Sequence, residues 1–224
     1  MMRRVSTARR RLPPLAALFL CAACVAAQHA PFAIKWARRL PAGDTVTVEG
    51  FVTVPAGLFA SFTGDQGFAI QDATGGIYVS LPGASKTPLG QGVRVRGRVS
   101  QIAQLIVLST RPELIAPTSR QRLVEPLFVK TGAIGSATEG RLVRIRGAIT
   151  RPVGDDLPYG YKIAVDDGSG ETQVFVPIST GIDPLSPSAL RVGQVITVVG
   201  FSGRYEDTHE VIPRFPGDLS TAEP

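Results

Sequence analysis

Two rows of arginine stand at strand spacing. Arg94, Arg96 and Arg98 alternate with Val93, Val95 and Val99, and Arg144 and Arg146 alternate with Val143, Ile145 and Gly147. Successive residues of a strand point to opposite faces, so each row places its cations side by side on the outside of a sheet. Proteins that hold single-stranded nucleic acid combine such a basic surface with aromatic faces on which bases stack. The candidate stacking faces are Phe51, Phe59, Phe62 and Tyr78 in the first half of the chain, and Tyr159, Phe175 and Tyr205 in the second. The same rows also suit a solvated strand face whose arginines pair with nearby acids such as Glu49.

Other chemistry finds few residues. The only histidines are His29 and His209, so there is no His pair for zinc and no basis for a Ser-His-acid set. Gly200-Phe201-Ser202-Gly203 is too short by one residue for a nucleophile elbow. No phosphate-binding glycine loop or dinucleotide fingerprint occurs. The expectation is a protein without catalytic activity, cofactor or metal. Asp155, Asp156, Asp166, Asp167 and Glu171 lie on two loops without calcium-loop spacing, and read as the Asp-Gly chemistry of exposed turns.

The elements that must carry these residues are short strands. Residues 67–82 (GFAIQDATGGIYVSLP) are two alternating runs joined by a glycine-rich turn, the pattern of a β-hairpin. Residues 160–177 (GYKIAVDDGSGETQVFVP) repeat it. Each hairpin follows a strand interrupted by glycine, residues 44–54 with Gly50 and residues 142–150 with Gly147, where a bend lets one strand pair on two sides of a small barrel. Residues 93–99 and 102–108 complete the first unit; residues 195–200 and 210–213 complete the second. The equivalent positions are about a hundred residues apart, which marks a domain duplication and not a solenoid.

The fold class is therefore all-β: two consecutive five-stranded OB-like β-barrels, each preceded by a short helix, after an N-terminal signal segment. The helices are placed at residues 32–40 and 131–138, with Trp36 packed on the first barrel. The longer segments 83–90 and 179–190 stand where an OB-fold carries its helix, and residues 186–190 suit a short one. The expected boundaries are 1–27 signal peptide, 31–117 first barrel, 118–138 linker and short helix, 139–215 second barrel and 216–224 polar tail.

Residues 1–27 have five arginines followed by a short apolar run (LAALFLCAA), too short to span a bilayer as a helix. The small residues before Gln28 suit cleavage there and export to the periplasm or exterior. The alternative is lipidation at Cys24 and membrane anchoring. Both cysteines, Cys21 and Cys24, lie in this segment, so cleavage leaves no thiol. The chain carries 24 Lys+Arg against 18 Asp+Glu. Without the five leading arginines it is within one charge of neutral. The remaining basic excess lies at Lys35, Arg38 and Arg39 and in the linker, while the second unit is net acidic. Any polyanion should then favour the first unit and its flanks.

The runs IKWARRLPAGDTVTVEGFVT, GFAIQDATGGIYVSLP, LGQGVRVRGRV and EGRLVRIRGAIT resemble the OB-like domains of secreted bacterial proteins. Such domains often accompany extracellular nucleases of the endonuclease/exonuclease/phosphatase class. The resemblance spans residues 31–213 and implies a nucleic-acid-binding accessory role. The expected partner is single-stranded nucleic acid held across the outer face of strands one to three, with an envelope protein or an oligosaccharide as the other readings.

Overall fold

The computed structural model describes residues 30–83, 85–185 and 190–221. The expected signal segment, with Cys24, lies outside the described residues. A short helix, α1 (Ile34–Ala37), comes first. Barrel one is built from β1 (Thr45–Val54), β2 (Phe68–Gln71), β3 (Gly76–Ser80), β4 (Gln91–Ile102) and β5 (Leu105–Ser109), with a helix α2 (Ala60–Thr63) between β1 and β2. The strand order is β1-β2-β3-β5-β4, and β4 returns to β1 to close the barrel. All these pairs are antiparallel except β3–β5. That is the connectivity of an OB-fold. Closure depends on Gly50, where β1 leaves β4 and turns toward β2; a side chain there would press on the Gln71 backbone. The inward parity of the strands (Val46, Val48, Ile70, Ile77, Val79, Val93, Val95) forms the first core.

A strand β6 (Ile115–Gln121) adds to β4, and a two-residue strand β7 (Leu127–Phe128) pairs in parallel with β8 (Leu142–Ile149). Barrel two continues with β9 (Gly154–Asp156), β10 (Gly160–Asp166), β11 (Thr172–Pro177), β12 (Val195–Tyr205), β13 (Thr208–Ile212) and β14 (Leu219–Thr221). Its closed path is β8-β10-β11-β13-β12, with β12 returning to β8 and β11–β13 parallel, so the second unit repeats the first. Val143, Ile145, Ile163, Val165, Val174, Ile196 and Val198 fill its core.

Several local expectations are corrected. The segment before the second barrel makes only a 3-10 turn at Thr131–Ala133, where Gly132 and Gly135, with Thr131 and Ser136, lower the helix propensity. No helix occurs between β3 and β4 among the described residues; the helical turn lies instead at Ala60–Thr63, stopped by Gly64 in the left-handed conformation. Of the helix expected at 186–190, residues 186–189 lie outside the described residues. The polar tail contributes a strand, β14, which pairs with β12. Trp36 does not pack on the barrel. Ile34 and Ala37 take the inward side of α1, and Trp36 is left 54% exposed.

The two barrels share a third core. Val54, Phe59, Tyr78, Leu105 and Val107 of barrel one meet Phe175, Phe201 and Ile212 of barrel two. Around it, Leu142 N donates to Gln71 Oε1 (2.8 Å), and Arg214 donates to the Thr53 carbonyl (2.9 Å) while paired with Asp218. Gly76 and Gly140 pass backbone to backbone, so closely that a Cβ on either would overlap the other's carbonyl. The β4–β5 turn meets the β12–β13 turn: Glu206 N donates to the Ala103 carbonyl (2.7 Å), and Arg204 donates to Gln104 Oε1 (2.6 Å).

Candidate functional site

The seam between the barrels carries two cavities of opposite character. The first is organised by the β2–β3 turn. Asp72 Oδ1 accepts from Thr74 N (2.7 Å), the Thr74 hydroxyl (2.7 Å) and Gly75 N (2.8 Å), and its Oδ2 accepts from Ile34 N (2.9 Å). Thr74 Oγ1 also accepts from Lys35 N (3.1 Å). The hairpin turn thus fixes α1, which carries Lys35 and Trp36 and is followed directly by Arg38 and Arg39. Across the seam, Arg141 donates to the Thr74 carbonyl (2.5 Å) and Arg204 is held by the Glu206 carbonyl (2.7 Å). These residues enclose a cavity of about 470 Å³ lined by Lys35, Arg38, Arg39, Arg141 and Arg204, with Glu139 the single acid.

Glu139 does not cancel this charge. Its side chain is buried and bonds Arg38 Nη2 at 2.6 Å, with His209 Nδ1 opposite its other oxygen at 3.8 Å, so its charge is met by Arg38. Lys35, Arg39 and Arg141 remain as cations around the cavity; Arg204 also lines it but faces Asp207 at 3.7 Å. Arg39 lies 4.7 Å and Lys35 5.4 Å from the exposed Trp36 ring. Trp36 and these cations were not singled out as a site in the sequence. The available signal was the basic excess at Lys35, Arg38 and Arg39; the contributions of Arg141 and Arg204 depend on how the second barrel docks.

The expected residues divide among different places. Arg94, Arg96 and Arg98 do line the outer face of β4, where Arg94 meets Glu49 (3.1 Å) and Arg98 donates to the Gly43 carbonyl (3.2 Å). Phe51 is half-buried under Arg120, which lies 5.1 Å from its ring and also reaches Glu49. Arg144 and Arg146 line a separate hollow of about 480 Å³ with Phe128, which is 65% exposed. Phe128 went unnoticed because the linker has no alternation.

Phe59, Tyr78 and Phe175 cannot serve as open stacking faces: all three are buried in the shared core. Tyr78 is a structural residue. Its hydroxyl donates to Asp65 Oδ1 (2.8 Å), and burial together with the facing Asp65 carboxylate holds the phenol protonated far above its ordinary range. The acidic turn residues act locally as expected: Asp166 accepts from Gly168 N, and Asp167 accepts from Ser169 N and the Thr131 hydroxyl. Bonding from Ser169 and Thr131 lowers the Asp167 pKa to about 2.

The second cavity, of about 690 Å³, gathers Phe62, Tyr159, Tyr205 and an edge of Phe175. Phe62 stacks at a tilt on Phe175 (5.6 Å between centroids) and on Tyr205 (6.3 Å). Its polar lining includes Glu210, whose Oε2 accepts from Gln173 Nε2 (2.7 Å). Burial pushes the Glu210 carboxyl up to about 7, against the opposing pull of Gln173 and the Lys162 charge. Because the folded value lies above the ordinary 4.5, this group favours the folded state fully below pH 4.5, and that contribution is lost as pH rises through about 7. Glu210→Gln removes the dependence. A series of thermal melts across this window is expected to fall less steeply with pH in the variant than in the wild type; equal slopes would count against the assignment.

No family model and no curated protein matches the chain. Among solved structures, a murine DNA-binding protein bound with double-stranded DNA is similar at TM-score 0.43 and 10% identity, over 80% of this chain and 97% of that one. The tetrameric p202 HIN2 structure is similar at TM-score 0.40 and 13% identity, over 82% and 96%. An Ifi202 HINa domain in complex with 20-bp double-stranded DNA is similar at TM-score 0.39 and 8% identity, over 80% and 98%. The nuclease association implied by the sequence resemblance has no counterpart in these comparisons. The OB-like assignment rests on the strand connectivity of both barrels.

Proposed function

We propose that this protein is an exported, non-catalytic binding module whose basic seam holds single-stranded nucleic acid. The observation that carries the reading is the cavity around Lys35, Arg39 and Arg141, whose one acid is already bonded to Arg38, with the exposed Trp36 ring beside Arg39. Three cations suit successive phosphates of a polyanion. The ring face of Trp36 suits an unpaired base, which duplex DNA does not offer. The binding surface is the seam, with the Arg96 face of strand β4 as its extension, and not the outer face of strands one to three.

Trp36 is the only tryptophan, so its fluorescence reports directly on the site. Titration with oligothymidylate is expected to quench it, more strongly than a duplex of the same length does. Three phosphate contacts give a log–log salt slope of roughly −2, at about −0.7 per phosphate. Unchanged fluorescence together with no gel retardation at low salt would overturn the reading. Export rests on the basic-then-apolar pattern of residues 1–27; a mature chain beginning at Gln28 by mass spectrometry is the expected result, and a lipidated Cys24 would replace release with anchoring.

A further inference from the structure

The aromatic cavity is unsuited to the polyanion of the basic seam. Its ionisable lining is Glu210, Asp156 and Lys162, with the phenols of Tyr159 and Tyr205. Lys162 is paired with Asp156 at 3.0 Å, both partly exposed at the rim. Glu210 is 1% exposed, and its Oε1 has no hydrogen-bond partner among the described residues. When ionised, this carboxylate leaves the cavity net negative beside the tilted rings of Phe62, Phe175 and Tyr205.

A buried acceptor without a partner is costly unless something donates to it. The group that would satisfy it here must bring an N–H donor and a positive charge, since the charge would favour the ionised carboxylate and be attracted to the faces of the surrounding rings. Its remaining body must be apolar or planar to cover those rings. The cavity volume lies within the range of small-molecule sites, and its position between two rigid barrels is a common one for them.

We propose that the cleft between α2 and the β10–β11–β13 face of barrel two binds a small organic cation, a protonated amine or amidinium on an apolar ring, with its N–H donated to Glu210 Oε1 and its ring against Phe62 and Tyr205. The site is separate from the nucleic-acid reading and does not depend on it. No bond is made or broken; the cation is held, and a proton leaves Glu210 when the site begins protonated.

The test uses the full mature chain and three probes of similar shape: benzamidinium, benzyl alcohol and benzoate, followed by isothermal calorimetry. Benzamidinium is expected to bind at least ten-fold more tightly than benzyl alcohol, and benzoate not at all. At neutral pH its binding heat should depend on the ionisation enthalpy of the buffer, reporting the released proton. Glu210→Gln is expected to weaken benzamidinium at least ten-fold and abolish the buffer dependence. Tyr205→Ala, at an exposed position, is expected to weaken it several-fold, and serves if the buried substitution does not fold. Failure of benzamidinium to bind at millimolar concentration, equal binding of the alcohol, or indifference to both substitutions would overturn the proposal. Oligothymidylate quenching of Trp36 is unchanged in either variant, so loss of that signal in wild type is a separate result.

Discussion

A Lys35→Glu/Arg39→Glu variant is expected to lose oligothymidylate affinity by on the order of 100-fold at low salt, because two phosphate partners become two repelling charges. Its salt slope should shrink by about 1.4, at about 0.7 per contact removed. Both side chains are exposed, and neither belongs to the bonds that fix α1, which run from the Ile34 and Lys35 backbone to Asp72 and Thr74. Surface changes of this kind typically alter stability by no more than about 0.5 kcal/mol, so the melting temperature serves as the control. Trp36→Ala separates stacking from charge. It should weaken oligothymidylate while leaving a polyanion without bases, such as heparin, bound about as well as before. Equal binding of the charge-reversed variant and wild type would remove the seam as the site.

Phe201→Ala should be the most damaging single truncation for stability. The ring is 1% exposed at the centre of the shared core, 6.0 Å from Phe59 and 6.2 Å from Tyr78. Removing a buried aromatic costs about 3–5 kcal/mol, part lost transfer energy and part residual cavity. For a chain of this size that corresponds to a drop of roughly 10 °C in Tm. The more informative readout is the form of the transition. The barrels share this core and its surrounding bonds, so wild type is expected to melt once, with both barrels cooperating. Calorimetry of the variant should show a lower, broader or divided transition as the seam weakens first. Two well-separated transitions already present in wild type would show that the seam does not couple the barrels.

The barrels were legible because their cores are made by alternation. Val46 and Val48, Val93 and Val95, and Ile145 with Val143 announce their faces two residues at a time, and Gly50 and Gly147 mark the bends. The Arg94–Arg98 row was legible for the same reason. What alternation cannot express is a contact between units. Tyr78 has the sequence context of an outward residue, yet the second barrel covers it and Asp65 satisfies its hydroxyl. Phe62 and Phe175 are more than a hundred positions apart and meet only across the seam. Trp36 was misplaced because a single turn of helix has too few positions to define a face. Glu139, which decides how much positive charge remains in the basic cavity, has no local signature at all; its partner Arg38 lies on the far side of the first barrel's sequence.

The meeting of the β4–β5 and β12–β13 turns joins the same hairpin of one barrel to that of the other. Such pairing of like with like is how two identical subunits meet across a two-fold axis. Here both halves belong to one chain, and the association is therefore intramolecular. A dimer with these contacts would come apart on dilution, and its two cavities with it. In this protein the effective concentration of one half for the other is set by the connecting residues and not by the amount of protein present. A seam maintained in this way stays assembled however dilute the protein becomes.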